Sequence, residues 1–233
     1  SMSDLFHESI PFEFIDAVYG VMLRTRQHTF QILTKRAQRM LMWAAQSRER
    51  GPISECLASA GVTNPKTFCK PLDGKEASIL ADRGWPPPNV WLGVSVEDQA
   101  TADERIPLLL QTPAAVRFVS YEPALGPVDF SMRLGIAPNH DDLRGLLHWI
   151  IAGGESGPHA RPFDIEWARS AIAQCRAANI AVFMKQVGAN PVWGDETSSL
   201  GRALREGGYT LKDRAGADPA EWPEDLRVRE FAV

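Results

Sequence analysis

Val90-Trp91-Leu92-Gly93-Val94-Ser95-Val96-Glu97 is an apolar run that closes on a small hydroxyl residue, one spacer and a glutamate. The ending returns twice. Ala115 to Tyr121 runs into Ser120-Tyr121-Glu122, and Leu147 to Ala152 runs into Gly153-Gly154-Glu155. Such near-continuous apolar runs are what strands buried on both faces of a parallel sheet require. Side chains alternate along a strand, so the small residue and the glutamate two positions on share a face. In open α/β sheets and in barrels, ligands sit at the carboxyl ends of the strands. The sequence therefore predicts three glutamates, Glu97, Glu122 and Glu155, converging on one pocket.

Outward from these strands the chain alternates strand and helix, the pattern of a parallel sheet. Pro11 to Thr25 reads as a helix with Phe14, Val18, Val21 and Met22 at helical spacing and Pro11 in its first turn. His28 to Thr34 reads as a strand, about Arg36 to Arg48 as a helix, and about Asp98 to Gln111 as another. Asp164 is placed to cap a helix reaching Ala178, and Ile180 to Lys185 is the last regular strand. This gives five to six strands, the last a short one in the apolar piece Leu226 to Phe231, where a closed barrel needs eight. The fold class expected is α/β, a partial or incomplete TIM-like barrel. One domain over 1–233 is expected, with an irregular insertion at about 50–89, including a short helix at Ala77 to Asp82, and an irregular C-terminal extension at about 188–233. Missing strands would leave an open sheet edge, which a homodimer or partner chain would cover.

Composition bounds the function class. Hydrophobic residues at 44% and charged residues at 23% are ordinary for a globular protein. A net charge of −4 gives no global attraction to nucleic acid, so a nucleic-acid partner has no support there. No apolar run reaches the roughly 20 residues that span a bilayer, and no secretory signal opens the chain, so a cytoplasmic location is expected. Cys56, Cys69 and Cys175 form no C-x-x-C pair, and His7, His140, His148 and His159 lack metal-ligand spacing. Trp91 and Trp149, two of seven tryptophans, are expected in the barrel core.

The candidate binding residues are those at the strand ends: Lys35 and Arg36, Ser95 and Glu97, Ser120 and Glu122, Gly153, Gly154 and Glu155, Arg161, Lys185 and Gln186. Ionised carboxylates share a dry pocket only when cations compensate them. Lys35, Arg36, Arg161 and Lys185 would do so, as would Mg²⁺ or Mn²⁺, which favour carboxylate oxygens. Gly153-Gly154 would let a ligand approach the backbone closely or would make a tight turn. The bland alternative is a set of salt bridges that tie strand ends together.

At these motifs the chain resembles the phage Gp thirty-seven/Gp sixty-eight proteins. The resemblance rests on Met2 to His7, Gln31 to Arg36, Val90 to Glu97, Ser120 to Pro123, Ala152 to Gly157 with Ala160 to Pro162, Lys185-Gln186 and Glu221 to Arg227. It implies a phage- or prophage-associated radical S-adenosylmethionine-like enzyme. A three-cysteine loop ahead of the barrel would hold a four-iron four-sulfur cluster, and the strand-end residues would hold S-adenosylmethionine. The sequence begins after such a loop, with Ser1 reading as a tag remnant before Met2, so the cluster belongs to a longer form. Two other readings stay open: a divalent-metal-dependent hydrolase or isomerase using the glutamates, and a truncated, non-catalytic prophage remnant or scaffold.

Overall fold

The computed structural model describes residues 4–49, 86–131, 147–192 and 211–232. Among the described residues five parallel strands form one sheet in the order β1-β2-β3-β4-β6 and do not close into a barrel, with helices in the crossovers. They are β1 (Phe30–Thr34), β2 (Val90–Ser95), β3 (Val116–Tyr121), β4 (Trp149–Gly153) and β6 (Ala181–Gln186). Helices α1 (Phe12–Arg24), α2 (Ala37–Glu49), α3 (Gln99–Gln111) and α4 (Ile165–Ala178) lie where the sequence places them, within two residues at each end. A separate parallel pair, β5 (Phe163–Asp164) with β7 (Pro191–Val192), has no counterpart in the sequence reading. The expected helix at Ala77 to Asp82 and most of the expected insertion lie outside the described residues.

The chain divides into two compact units. The first holds residues 1–94 and 108–117. There β1 pairs with β2, Phe30 opposite Val90 through Thr34 opposite Val94. Its core packs Tyr19 against Trp43, ring centroids 4.3 Å apart, with Phe6 at 5.8 Å from the same indole. Trp43 is fully buried, and its indole N–H donates to Asp16 at 2.8 Å, so the burial leaves that donor satisfied. Trp91 departs from expectation. Alternation places it on the face opposite buried Val90 and Leu92, and it is only half-buried.

The second unit holds residues 95–107 and 118–233. β4 pairs on one side with β3 and on the other with β6, with a register shift at Ala152/Gly153. Helix α4 begins as the sequence predicts: Asp164 accepts the Glu166 amide, satisfying one of the unpaired first-turn donors. It ends on Asn179 in the left-handed region, φ 57°. Its apolar face buries Ile165, Ala168, Ala171, Ile172 and Cys175. Trp149 is buried, as expected, and its indole N–H donates to the Glu230 carbonyl at 2.9 Å.

The predicted C-terminal strand is an isolated antiparallel bridge, Phe183 opposite Arg229. Around it the Met184 amide donates to Val228 at 2.8 Å and the Glu230 amide to Val182 at 3.0 Å. The chain's own tail thus occupies the β6 edge there, satisfying backbone groups that an open edge would expose. Among the described residues no helix is long and apolar enough to cross a membrane.

Candidate functional site at the strand ends

In the first unit, Lys35 and Arg36 follow the last residue of β1. The Thr34 hydroxyl donates to both oxygens of Asp4, at 2.8 and 2.9 Å, and Arg36 Nη1 reaches one of them at 2.9 Å. Burial pushes the Asp4 pKa up, but donors from Thr34, the Phe6 amide, Arg36 and the Lys35 amide outweigh it and leave the carboxyl below its ordinary value. Asp4 was not among the predicted site residues; it stands far ahead of β1 in sequence, and no local spacing links them.

The other candidates all belong to the second unit. Glu97 lies just past β2 and is buried. Arg105, two turns into α3, spends one Nη on the Glu97 carboxylate and on the Ser95 carbonyl, 2.9 Å each. The start of α3 is fixed by reciprocal capping: the Thr101 hydroxyl accepts the Asp98 amide at 3.0 Å, and the Asp98 carboxylate accepts the Thr101 amide at 2.9 Å; the same hydroxyl also takes the Glu97 amide at 2.9 Å. Arg105 was missed by the sequence reading. Its signal was a basic residue on the helix that directly follows the glutamate.

Glu122 lies just past β3. Its Oε2 takes Lys185 Nζ at 2.7 Å, and its Oε1 is 3.5 Å from the Ser120 hydroxyl, so the predicted shared face of Ser120 and Glu122 exists. Lys185 comes from the end of β6 and is 55% exposed, so this cation reaches the carboxylate from the solvent side. Glu155 follows β4 and is gripped bidentately by Arg161, Nε and Nη2 at 2.8 Å each, with the Arg161 amide adding 3.0 Å. The Arg161 hydrogen bonds hold the Glu155 pKa down at about 2. Arg161 is raised in turn, first by Glu155 and, through space, by Glu97.

Backbone bonds hold these ends in place. The Val96 amide donates to Ser120, Ala124 to Gly153 and Leu125 to Glu97, at 2.7–3.0 Å. Gln186 turns its side-chain amide onto the Gly154 carbonyl at 2.8 Å, while its own carbonyl accepts the Gly154 amide at 3.0 Å. The close approach that the two glycines permit is made by the chain itself. A Cβ on Gly154 would lie 2.4 Å from the Val187 carbonyl oxygen, and one on Gly153 would meet Gln186 and Glu122 at 3.2–3.4 Å.

The three glutamates thus share one unit, but each has its own cation: Glu97 with Arg105, Glu122 with Lys185, Glu155 with Arg161. They do not pool into a carboxylate cluster, and among the described residues no group of three or more His, Cys, Asp or Glu side chains is placed to hold a metal ion. His159 is exposed in the loop after Glu155. Cys175 is buried in α4, where burial pushes its thiol up to about 12.

Compared with known proteins, the chain matches over residues 1–213 the model of a family described as a protein of unknown function, DUF5131. No curated protein and no solved structure matches it.

Proposed function

We propose that the chain, which belongs to the DUF5131 family, binds a small zwitterionic ligand at the strand ends of its second unit. By the motif resemblance that ligand is S-adenosylmethionine, and the chain is the barrel portion of a radical S-adenosylmethionine-type enzyme of phage and prophage association. A cytoplasmic setting goes with this reading. The observation that carries it is the pair of solvent-reached carboxylate–cation couples, Glu122 with Lys185 and Glu155 with Arg161. A zwitterion brings one group for each half of such a couple.

The donor chemistry fits. Glu122 keeps accepting capacity on Oε1, whose nearest donor is the Ser120 hydroxyl at 3.5 Å, which suits a ligand ammonium or a ribose hydroxyl. Lys185 carries three N–H donors with a single ion-pair partner among the described residues. Arg161 uses Nε and one Nη on Glu155, leaving the other Nη for a ligand carboxylate. Bound there, S-adenosylmethionine supplies a sulfonium with electrophilic carbons. The protein's part is to hold the methionyl end and fix its orientation. Among the described residues the one cysteine, Cys175, is buried in α4, so they offer no cysteine set for an iron–sulfur cluster; Cys56 and Cys69 lie outside them. By the resemblance, the cluster for reductive chemistry would be held by a three-cysteine loop ahead of the barrel.

Mg²⁺ or Mn²⁺ held by the glutamates for hydrolysis or isomerisation would have to displace built ion pairs, so nothing favours that reading over the first. A non-catalytic scaffold is favoured by one observation, that each of the three strand-end glutamates is already paired with a cation inside its unit. Calorimetric titration of S-adenosylmethionine into the wild type, Lys185→Met and Glu155→Gln separates the readings. Saturable binding, weakened at least tenfold in either variant, is expected if two charge-assisted contacts grip the ligand. No heat from S-adenosylmethionine with the wild type, at any concentration up to millimolar, would overturn the proposal and leave the scaffold reading.

A further inference from the structure

Beyond Glu155 the second unit carries a cleft of about 800 Å³, within the size range of small-molecule sites. Three segments frame it: the loop after β4, the turn between β6 and β7, and the stretch from Leu211 to Ala215. Pro158, Ala189, Pro191, Leu211 and Ala215 make its apolar wall, and Asp213 and Arg214 are its charged residues. None of the residues of the two strand-end couples lines it.

Hydrogen bonds behind the cleft tie its three segments together. The Ala189 amide donates to the Glu155 carbonyl at 2.8 Å, and the Val187 amide to the Gly216 carbonyl at 2.9 Å. Glu221 accepts the Lys212 and Asp213 amides at 3.0 and 3.1 Å. Buried Trp222 donates its indole N–H to Gly216 at 3.0 Å. Gly216 has φ +64°, and a Cβ there would lie 2.1 Å from the Gly188 carbonyl oxygen, so the two loops interlock only because that residue is glycine.

The two charges in the cleft differ in what they already do. Asp213 turns its carboxylate inward on its own loop, accepting the Ala215 amide at 3.1 Å and the Ala217 amide at 2.7 Å. Arg214 is exposed and makes no ion pair or hydrogen bond among the described residues. Among the described residues, the charge of the cleft that is not spent on its own loop is therefore the Arg214 guanidinium, beside an apolar wall and an Asp213 carboxylate held by backbone amides.

We propose that this cleft binds a small organic anion, its apolar body against Pro158, Pro191 and the alanines and its carboxylate or phosphate on Arg214. A guanidinium favours planar, bidentate anions, and the apolar wall favours a ring over a bare ion. This proposal is independent of the strand-end ligand, because it uses other residues.

The test follows the amide resonances of Ala189 and Ala215 while benzoate, phenyl phosphate or inorganic phosphate is added. Saturable shifts with benzoate or phenyl phosphate at millimolar concentrations are expected, and which of the two binds tighter decides carboxylate or phosphate. Inorganic phosphate alone should bind more weakly. Arg214→Ala should lose at least about tenfold in affinity, the scale of one charge-assisted contact. Ala189→Trp, at an exposed position, should block the apolar wall, and Lys212→Ala, whose side chain lies outside the cleft, should change nothing. Three results would each overturn the proposal: no saturable shift with either organic anion, equal binding by Arg214→Ala, or phosphate binding as tightly as phenyl phosphate.

Discussion

Glu97 and Glu155 are written into the sequence in nearly the same way, two positions past a small residue at the end of an apolar run, and they meet different fates. Glu97 is buried against Arg105, both side chains under 15% exposed, and the same guanidinium holds the Ser95 carbonyl. Glu155 is clasped by an arginine that is itself 55% exposed. The first is an internal tie between a strand end and the next helix. The second is a charge couple that solvent, or a ligand, can reach. Burial, and not the motif, decides which glutamate can exchange partners.

The comparison breaks first at Arg105. Replacing it with Met removes the guanidinium that holds the buried Glu97 carboxylate, which should cost about 3–5 kcal/mol in urea unfolding. A cost near that of a surface pair would show that the strand end does not depend on this tie. Next is Gly154→Ala, whose new Cβ would sit 2.4 Å from a backbone oxygen of Val187. Because backbone must move, a loss of about 1–3 kcal/mol is expected. Gly126→Ala serves as the control, since its Cβ would find only an ordinary contact at 3.6 Å with Asp98. Lys185→Met sharpens the middle of the comparison: the lysine is 55% exposed but the Glu122 carboxylate only 14%, so a loss of about 1–2 kcal/mol is expected, between that of a surface pair and that of a buried one.

The smallest effect is in pH. The Glu155 carboxyl, followed by NMR, should titrate near 2 and return toward its ordinary value of 4.5 in Arg161→Met. Because the folded pKa is depressed, the stabilisation from this pair is fully present above the unfolded value. It is lost as pH falls through about 2. A Glu155 midpoint unmoved by Arg161→Met would remove the arginine as its cause.

Much of the fold was legible because its signals are local. Apolar runs with glutamate stops gave β2, β3 and β4, and Asp164 announced α4 through one hydrogen bond to its own first turn. The failures are where a partner comes from elsewhere in the chain. Nothing near Glu122 in sequence points to Lys185, and nothing near Thr34 points to Asp4; topology alone joins them. The β5–β7 pair is two residues long on each side, too short for periodicity to register. Gly153-Gly154 was readable as a place of close approach, but local sequence does not say whether a ligand or the Val187 backbone does the approaching. The expected edge strand at Leu226 to Phe231 shrank to a bridge. Backbone bonds on either side of Arg229, with Phe231 packed on Phe183 and Trp149, suffice to seat that tail.

The contrast between the two glutamates is tested most directly by preparing Glu97→Gln and Glu155→Gln side by side and measuring, for each, the urea midpoint and the affinity for S-adenosylmethionine. The expected result is a dissociation of effects: Glu97→Gln lowers the midpoint most, while Glu155→Gln, which removes a solvent-screened pair, lowers it less and weakens binding at least tenfold. The account is contradicted if Glu155→Gln unfolds as readily as Glu97→Gln and binds S-adenosylmethionine no differently from the wild type.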